Sequence, residues 1–390
     1  MGRGASGVHL PRSATITTPP AEPPAPATSA ATDVESVMAG EGFYSTHSQS
    51  QHVAAAVAFP YLAAAAESVP LPGAGAAVTI GDFGCAGGAN EMAPMALAID
   101  TLRKRTSAPV EIVHTDLPQN DFGSLFALLA SPSGYPAGRQ DIYPSAIGRT
   151  LYGPLLPQRQ LLIGWSGITL HWLSTVPVAV PDQIYPNLVT GPARERLRQQ
   201  SADDWNLFLT ERARELVDGG ELVLVAGASQ PDGLSGAEAL MQLIGDVLQA
   251  MVDDGVLRDG ERERMFYPTW NRTPEEWLAP FDGPFADTFE VIDQRFDAAD
   301  DSVAYPQFRD GGDAEAFAQR YVGFVRAITE VPFFRWLDAE RDDAARHAVT
   351  EDFYARLEPA LRANPAAAAV WHTMSLRIRR RRRAAEELRV

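Results

Sequence analysis

Residues 81–90 read Gly-Asp-Phe-Gly-Cys-Ala-Gly-Gly-Ala-Asn. Gly84, Gly87 and Gly88 let backbone approach a ligand closely, and Asp82 offers a carboxylate that can accept a hydrogen bond from an ammonium group. A second acid, Asp116, closes the apolar run Pro-Val-Glu-Ile-Val-His-Thr. A carboxylate at the end of the second strand of an alternating α/β fold can accept from both hydroxyls of a ribose. Loop and acid together fit an adenosyl cofactor. NAD stays open as a competitor, although GxGxxG is absent, and so does a tight turn that serves only packing.

The elements around these residues support a βαβ unit. AAVTIGDF is a short apolar run that reads as a buried strand, and Asn90 to Lys104 carries Met92, Met95, Ala96 and Ile99 near helical spacing. PVEIVHTD then supplies a second strand. QLLIGWSGITL and ELVLVAGA are further strands, the latter after a long helical stretch, so the alternation predicts an α/β, doubly wound, mostly parallel sheet. FADTFEVIDQRF and AVWHTMSLRIR read as strands that close the edge as an antiparallel pair. The stretches 183–215, 232–280 and 300–365 exceed what simple crossovers need and are expected to build a helical cap. A helical reading runs from Asp33 to Pro72.

Residues 1–32 are rich in Pro, Ala, Ser and Thr without apolar periodicity and predict a disordered tail. The catalytic or binding domain is expected over 33–385, with 380–390 a basic, solvated tail.

Composition removes several classes. The chain has 390 residues with 50 acidic and 33 basic side chains, a formal charge of −17 that repels a phosphate backbone, so nucleic acid is not expected as a partner. Cys85 is the only cysteine, which rules out an intramolecular disulfide and a multi-cysteine metal site. A reducing, cytoplasmic setting fits this. The longest apolar stretch, VAAAVAFPYLAAAA, is short for a bilayer and interrupted by Pro60, so no membrane span is expected.

Further motifs extend the pattern. YSTHSQSQ at 44–51 is similar to Y-x-x-N-S-x-x-Q, GDFGCAGGAN to D-L-G-C-S-S-G-P-N, and HTDLPQNDFG to N-D-L-P-x-N-D-F-N. TLYGPLLP is similar to S-F-Y-x-x-L-F-P, and TLHWLSTVP to S-L-H-W-L-S-x-V-P. In this order they resemble the SABATH family, the plant-type salicylate, benzoate and theobromine methyltransferases. The resemblance spans Tyr44 to about Ala279. It implies a class I methyltransferase fold, Rossmann-like with a helical cap, S-adenosylmethionine as cofactor, a small carboxylic acid as substrate and a homodimer. It also implies that Tyr44, Ser48, Asp82, Gly84, Cys85, Asn90, Asp116, Leu117, Thr150 and Leu151 contact the cofactor. By the same resemblance, Gln51 and Trp172 hold the substrate carboxylate and His171 lines that pocket.

The chemistry is consistent with those roles. A carboxylate with a pKa near 4 is ionised at neutral pH and needs no general base. It needs placement in line with the leaving sulfur, about 3 Å from the methyl carbon. Gln51 and Trp172 are neutral N–H donors that can fix it without pairing it to a full charge; a cation would stabilise the ground state more than the transition state, where the charge is being lost. His171 and Trp172 reach one pocket only if the chain turns between strand and loop. Trp165, Trp270, Trp277, Phe266, Phe308 and Phe317 are candidate aromatic walls.

There are departures from the family pattern. His47 stands where the family has Asn, Thr150-Leu151 replaces Ser-Phe, and ERMFYP replaces a D-x-F-N segment that carries a metal in some members, so no metal is expected. The primary reading is a carboxyl O-methyltransferase of a benzoate- or salicylate-like acid. N-methylation of a heteroaromatic such as a xanthine and a non-catalytic, cofactor-binding partner subunit are the alternatives.

Overall fold

In the computed structural model, which describes Met1 and residues 32–33, 49–73, 75–300, 304–368 and 370–382, the first elements are β1 (Thr32–Asp33), α1 (Gln49–Ala56) and α2 (Phe59–Ser68). β2 (Val78–Phe83), α3 (Met92–Arg103), β3 (Val110–Asp116), α4 (Phe122–Leu129), β4 (Ile142–Gly148) and β5 (Leu161–Gly167) follow. Next come β6 (Thr175–Val176), α5 (Gly191–Glu215), β7 (Leu216–Gly227), α6 (Glu238–Asp253), α7 (Asp259–Arg262) and α8 (Pro274–Asp282). β8 (Phe289–Asp300), α9 (Ala304–Arg309), α10 (Ala314–Phe334), α11 (Asp343–Ala363) and β9 (Val370–Arg380) complete the set.

Seven strands form one sheet in the order β4-β3-β2-β5-β7-β9-β8. β4, β3, β2, β5 and β7 are parallel, and β9 runs antiparallel to both β7 and β8, which is the expected edge pair. Every residue of β2 is buried, as a central parallel strand covered on both faces requires. The chain winds from β2 outward to β4, then returns to place β5 on the other side of β2. That reversal opens a crevice beyond the carboxyl ends of β2 and β5.

β4 carries no strand signal in the sequence because it lies at the sheet edge, is only partly buried, and contains Pro144, which a sheet tolerates at an edge. Asp33 was expected to begin a helix. It instead pairs with Thr175 in a two-stranded ribbon, and the intervening 34–48 lie outside the described residues.

Alternation along each strand divides the core. Val78, Ile80, Ile112, Trp165 and Val223 pack under α2, α3 and α4. Phe83, Leu161, Leu222, Leu224 and Ile378 face Trp205, Phe208 and Leu209 of α5 and Trp277 and Phe281 of α8. Burial of each such Leu, Ile, Val or Phe side chain contributes roughly 1.5–3 kcal/mol. A third core joins α6, α10 and α11 through Leu248, Tyr321, Phe353 and Leu357, and draws none of its fully buried residues from the sheet strands.

The expected cap segments therefore divide. Residues 191–215 form α5, which buries its apolar stripe on the sheet as the crossover to β7, and α8 lies on the same face. α6, α10 and α11 form the separate helical layer. The basic tail expected from 380 also begins later: Arg380 closes β9, is 7% exposed, and donates from Nη1 to Leu216 O at 2.6 Å. Residues 2–31 and 383–390 lie outside the described residues. Among the described residues no helix is long and apolar enough to cross a membrane.

Candidate active site

The glycine loop leaves β2 at Gly84, whose φ of +91° suits glycine and whose added Cβ would fall 2.4 Å from the Thr169 side chain. Gly88, at φ +86°, has Leu125 Cδ1 at 2.4 Å from the same virtual atom. The amides of Gly84 and Cys85 donate to Thr115 O at 2.8 and 3.0 Å and strap the loop to β3. Asp116 then receives Ala86 N–H on Oδ2 at 2.7 Å and Leu117 N–H on Oδ1 at 2.8 Å. Burial pushes its carboxyl above the ordinary range, against the pull of those two amides.

These residues wall a cavity of about 330 Å³. Of the expected cofactor contacts, Gly84, Cys85, Asn90, Asp116, Leu117, Thr150 and Leu151 all line it. Gly167 to Thr169 and Trp172 to Thr175 form its far wall. Loop glycines, a fixed strand-end carboxylate and a roomy crevice fit an adenosyl cofactor. Tyr44 and Ser48 lie outside the described residues.

Asp82 is a correction. It does not line the cavity; strand alternation turns it into the layer under α3, where it is fully buried. Its Oδ2 lies 2.6 Å from His114 Nδ1, and His114 Nε2 lies 2.8 Å from the Tyr135 hydroxyl. Asp82 Oδ1 meets no ordinary donor; its neighbour is the carboxyl of Glu91, which donates to Asp82 when protonated. Glu91 Oε2 in turn accepts the Trp165 indole N–H at 2.8 Å. Burial raises Asp82 to about 8, pushes Glu91 well up, and lowers His114 to about 4. Asp82, Cys85 and His114 place ligand-type atoms within 4.8 Å of one another, yet both His114 nitrogens are already hydrogen-bonded, so the group is a proton-sharing network beneath the loop. Burial, with the acids around it, drives the Cys85 thiol well up, the opposite of an activated nucleophile.

The second functional segment leaves β5. Ile168 takes φ +56°, and Trp172 N–H closes a turn on Thr169 O at 3.0 Å, the bend that His171 and Trp172 need. Trp270 N–H donates to His171 O at 2.7 Å, Tyr152 Oη to Trp172 O at 2.5 Å, and Ser174 N–H to Asp204 at 2.8 Å. His171 Nδ1 accepts Gly227 N–H at 3.3 Å, which assigns the ring proton to Nε2. Burial first, then the charge of Arg272, lowers His171 to about 3, so the ring is a neutral donor at pH 7.

A smaller cavity of about 70 Å³ adjoins the first, with Ile168 in the wall of both. Gln51 and His171 line it, whereas Trp172 lines the larger one, so the three residues expected in one pocket are divided between two. Gln51 Oε1 is buried and has no hydrogen-bond partner among the described residues. The cavity's apolar wall includes Tyr267, Phe324, Ile328 and Trp371, its polar points include Ser50, Asn271, His372 and Thr373, and no Lys, Arg, Asp or Glu is among the described lining residues. None of the six aromatics expected as walls lines either cavity. Trp165 and Trp277 fill the sheet cores, Phe266 and Trp270 pack with Leu173 and Leu197, and Phe308 and Phe317 belong to the helical layer. Tyr267 was adjacent to one expected wall residue, and Trp371 to His372 at the start of a predicted strand; burial of the site decided between neighbours.

The chain is similar to known methyltransferases. A family model described as SAM dependent carboxyl methyltransferase matches residues 35–331. A probable S-adenosylmethionine-dependent methyltransferase of Arabidopsis thaliana is 32% identical over 216 residues, 49% of this chain and 58% of that protein. Gibberellic acid methyltransferase 2 of Arabidopsis thaliana is 28% identical over 272 residues, covering 61% of this chain and 68% of that one. The chain thus spans between half and seven tenths of the length of these relatives. A solved loganic acid methyltransferase with SAH shares the fold, with a TM-score of 0.72 at 19% identity, over 89% of this chain and 99% of that one.

Proposed function

The chain belongs to the S-adenosylmethionine-dependent carboxyl methyltransferase family, with the class I methyltransferase fold, and from that premise we propose that it forms the methyl ester of a small, benzoate- or salicylate-like carboxylic acid. The observation that carries this reading is the charge-free cavity beside the cofactor-sized one: neutral donors and apolar walls, with no fully charged side chain among the described residues that line it. When bound in the larger cavity, S-adenosylmethionine supplies a sulfonium methyl group to a carboxylate oxygen. Asp116, Asn90, Thr150 and the backbone of 84–88 hold that molecule. Gln51 and His171 orient the acid from one side and Trp172 from the cofactor side.

Holding a carboxylate by neutral donors keeps its charge available to the reaction, because an ion pair would be weakened as that charge is neutralised. The apolar walls exclude water and suit an aromatic body. A hydroxyl beside the carboxylate would supply the donor that Gln51 Oε1 lacks, which favours a hydroxylated acid. The homodimer implied by the resemblance is part of the same proposal, checked by light scattering.

The test is turnover of methyl-labelled S-adenosylmethionine against benzoic, salicylic, cinnamic, dicarboxylic and terpenoid acids, with xanthines as the rival set. Label in a base-labile, extractable ester is the expected result. Label only on xanthines would replace the reading with N-methylation, and tight cofactor binding without turnover would leave a non-catalytic subunit.

A further inference from the structure

Arg272 is 2% exposed, in the segment between Trp270 and α8. No carboxylate touches its guanidinium; Asp204 and Glu276 act on it only through space. It rests on carbonyl oxygens and indole faces instead. Nη1 donates to Leu170 O at 2.6 Å and Nη2 to Ser201 O of α5 at 2.7 Å, while the group lies 4.9 Å from the Trp277 ring centre and 5.8 Å from that of Trp205. Tyr152, the phenol that donates to Trp172 O, is a near neighbour of the same guanidinium, and the two act on each other electrostatically. The Arg272 backbone is tied to the end of β7, with Ser229 N–H on its carbonyl at 3.0 Å and Ala228 bridged to it.

A buried cation without an ion-pair partner is costly to keep, and a lysine could not make the fork that spans two carbonyls on different elements. The fork holds Leu170 O, the peptide group immediately before His171, while the neighbouring Tyr152 holds Trp172 O. We propose that Arg272 is a positioning residue for methyl transfer, fixing the turn that presents His171 and Trp172 to the acid. It acts through that turn and touches neither cavity that the reaction uses. This rests on the carboxyl methyltransferase reading. Its charge has a second consequence, since it helps hold His171 neutral, with Tyr152, Asp204 and Glu276 the other titratable groups that face it.

A third cavity, of about 210 Å³, opens beside Arg272 between α5 and α8, lined by Ser201, Trp205 and Glu276. Removing the side chain would extend this space to Leu170 O and admit free guanidinium, which makes chemical rescue the discriminating test. In Arg272→Lys, the Kd for S-adenosylmethionine, measured by calorimetry, stays near the wild-type value while kcat for the acid falls about 100-fold, the size expected from a misplacement of about 1 Å. Arg272→Ala shows the same split, and millimolar guanidinium restores at least about tenfold of the lost kcat, whereas urea restores none. A role limited to folding would lower the melting temperature without a kcat split, and guanidinium would then worsen activity.

One arm does not depend on finding the acid. In Arg272→Met, NMR titration of His171 moves its pKa upward from the wild-type value, and in Arg272→Lys it does not. If no acid turns over but His171 shifts, the functional reading fails and the placement of Arg272 stands. Unchanged kcat in Arg272→Lys, or guanidinium without effect on Arg272→Ala, overturns the proposal.

Discussion

The Trp172 indole meets the Tyr267 ring edge-on, at 64° with centroids 4.9 Å apart. Trp172 lines the cofactor-sized cavity and Tyr267 the smaller one, so this contact spans the boundary between the two cavities. Trp172→Phe keeps the aromatic contact and removes the N–H. A hydrogen bond to a charged group is worth about 1.5–3 kcal/mol, so KM for the acid rises at least about tenfold while the melting temperature changes little. Steady-state kinetics with the preferred acid checks this, and an unchanged KM would remove Trp172 from carboxylate binding.

Asp116 joins the loop to the strand end by accepting both Ala86 N–H and Leu117 N–H. Asp116→Asn preserves shape but turns an amide NH₂ toward one of those donors. A buried donor left without an acceptor costs about 1–3 kcal/mol, so the melting temperature falls and cofactor Kd rises at least about tenfold. Calorimetry with S-adenosylhomocysteine reads the second effect without requiring an acid.

Much of this was legible where the signal is local. The glycine loop and the strand-end position of Asp116 are each carried by residues within one short stretch, and the alternation of elements predicts both the parallel sheet and its antiparallel edge. Asp82 was misassigned because a strand-end carboxylate faces the ligand or the interior according to what covers it. Here the decisive partner is His114, 32 residues on, on the neighbouring strand. The walls of the small cavity were missed for a related reason: Tyr267, Phe324 and Trp371 come from a loop, a helix and a strand, and no spacing in the sequence relates them. The six aromatics expected there are as hydrophobic as these three, so composition alone could not separate lining from core.

The buried acids below the loop predict a pH dependence of stability. Asp82 is raised to about 8 and Glu91 moves the same way, so the folded state retains protons that the unfolded chain has released. Stability from these groups is therefore present at low pH and is lost as pH rises toward 8. His114 acts oppositely: lowered from 6.5 to about 4, it stays neutral when the unfolded chain protonates, so its contribution is lost as pH falls through that window. Between pH 6.5 and 8 only the acids act among these three groups. Asp82→Asn should flatten the decline over that interval in denaturant titrations, and an equally steep decline in the variant would show that Asp82 does not carry the proton.

Gly84 carries the closest fit in the loop. An alanine there must adopt φ near +91° and push its Cβ to 2.4 Å from Thr169, which lines the cofactor cavity. Overpacking of this kind costs about 1–3 kcal/mol, and the relief available is displacement of Thr169 or of the loop, both of which narrow the cavity. Gly84→Ala therefore lowers the melting temperature and weakens S-adenosylhomocysteine binding together. Gly73→Ala is the control, because nothing lies within 4 Å of its added Cβ and replacing glycine at an unstrained position is neutral or mildly stabilising. Loss of stability in Gly84→Ala with cofactor Kd unchanged would mean that Thr169 yields away from the cavity and that this wall does not contact the cofactor.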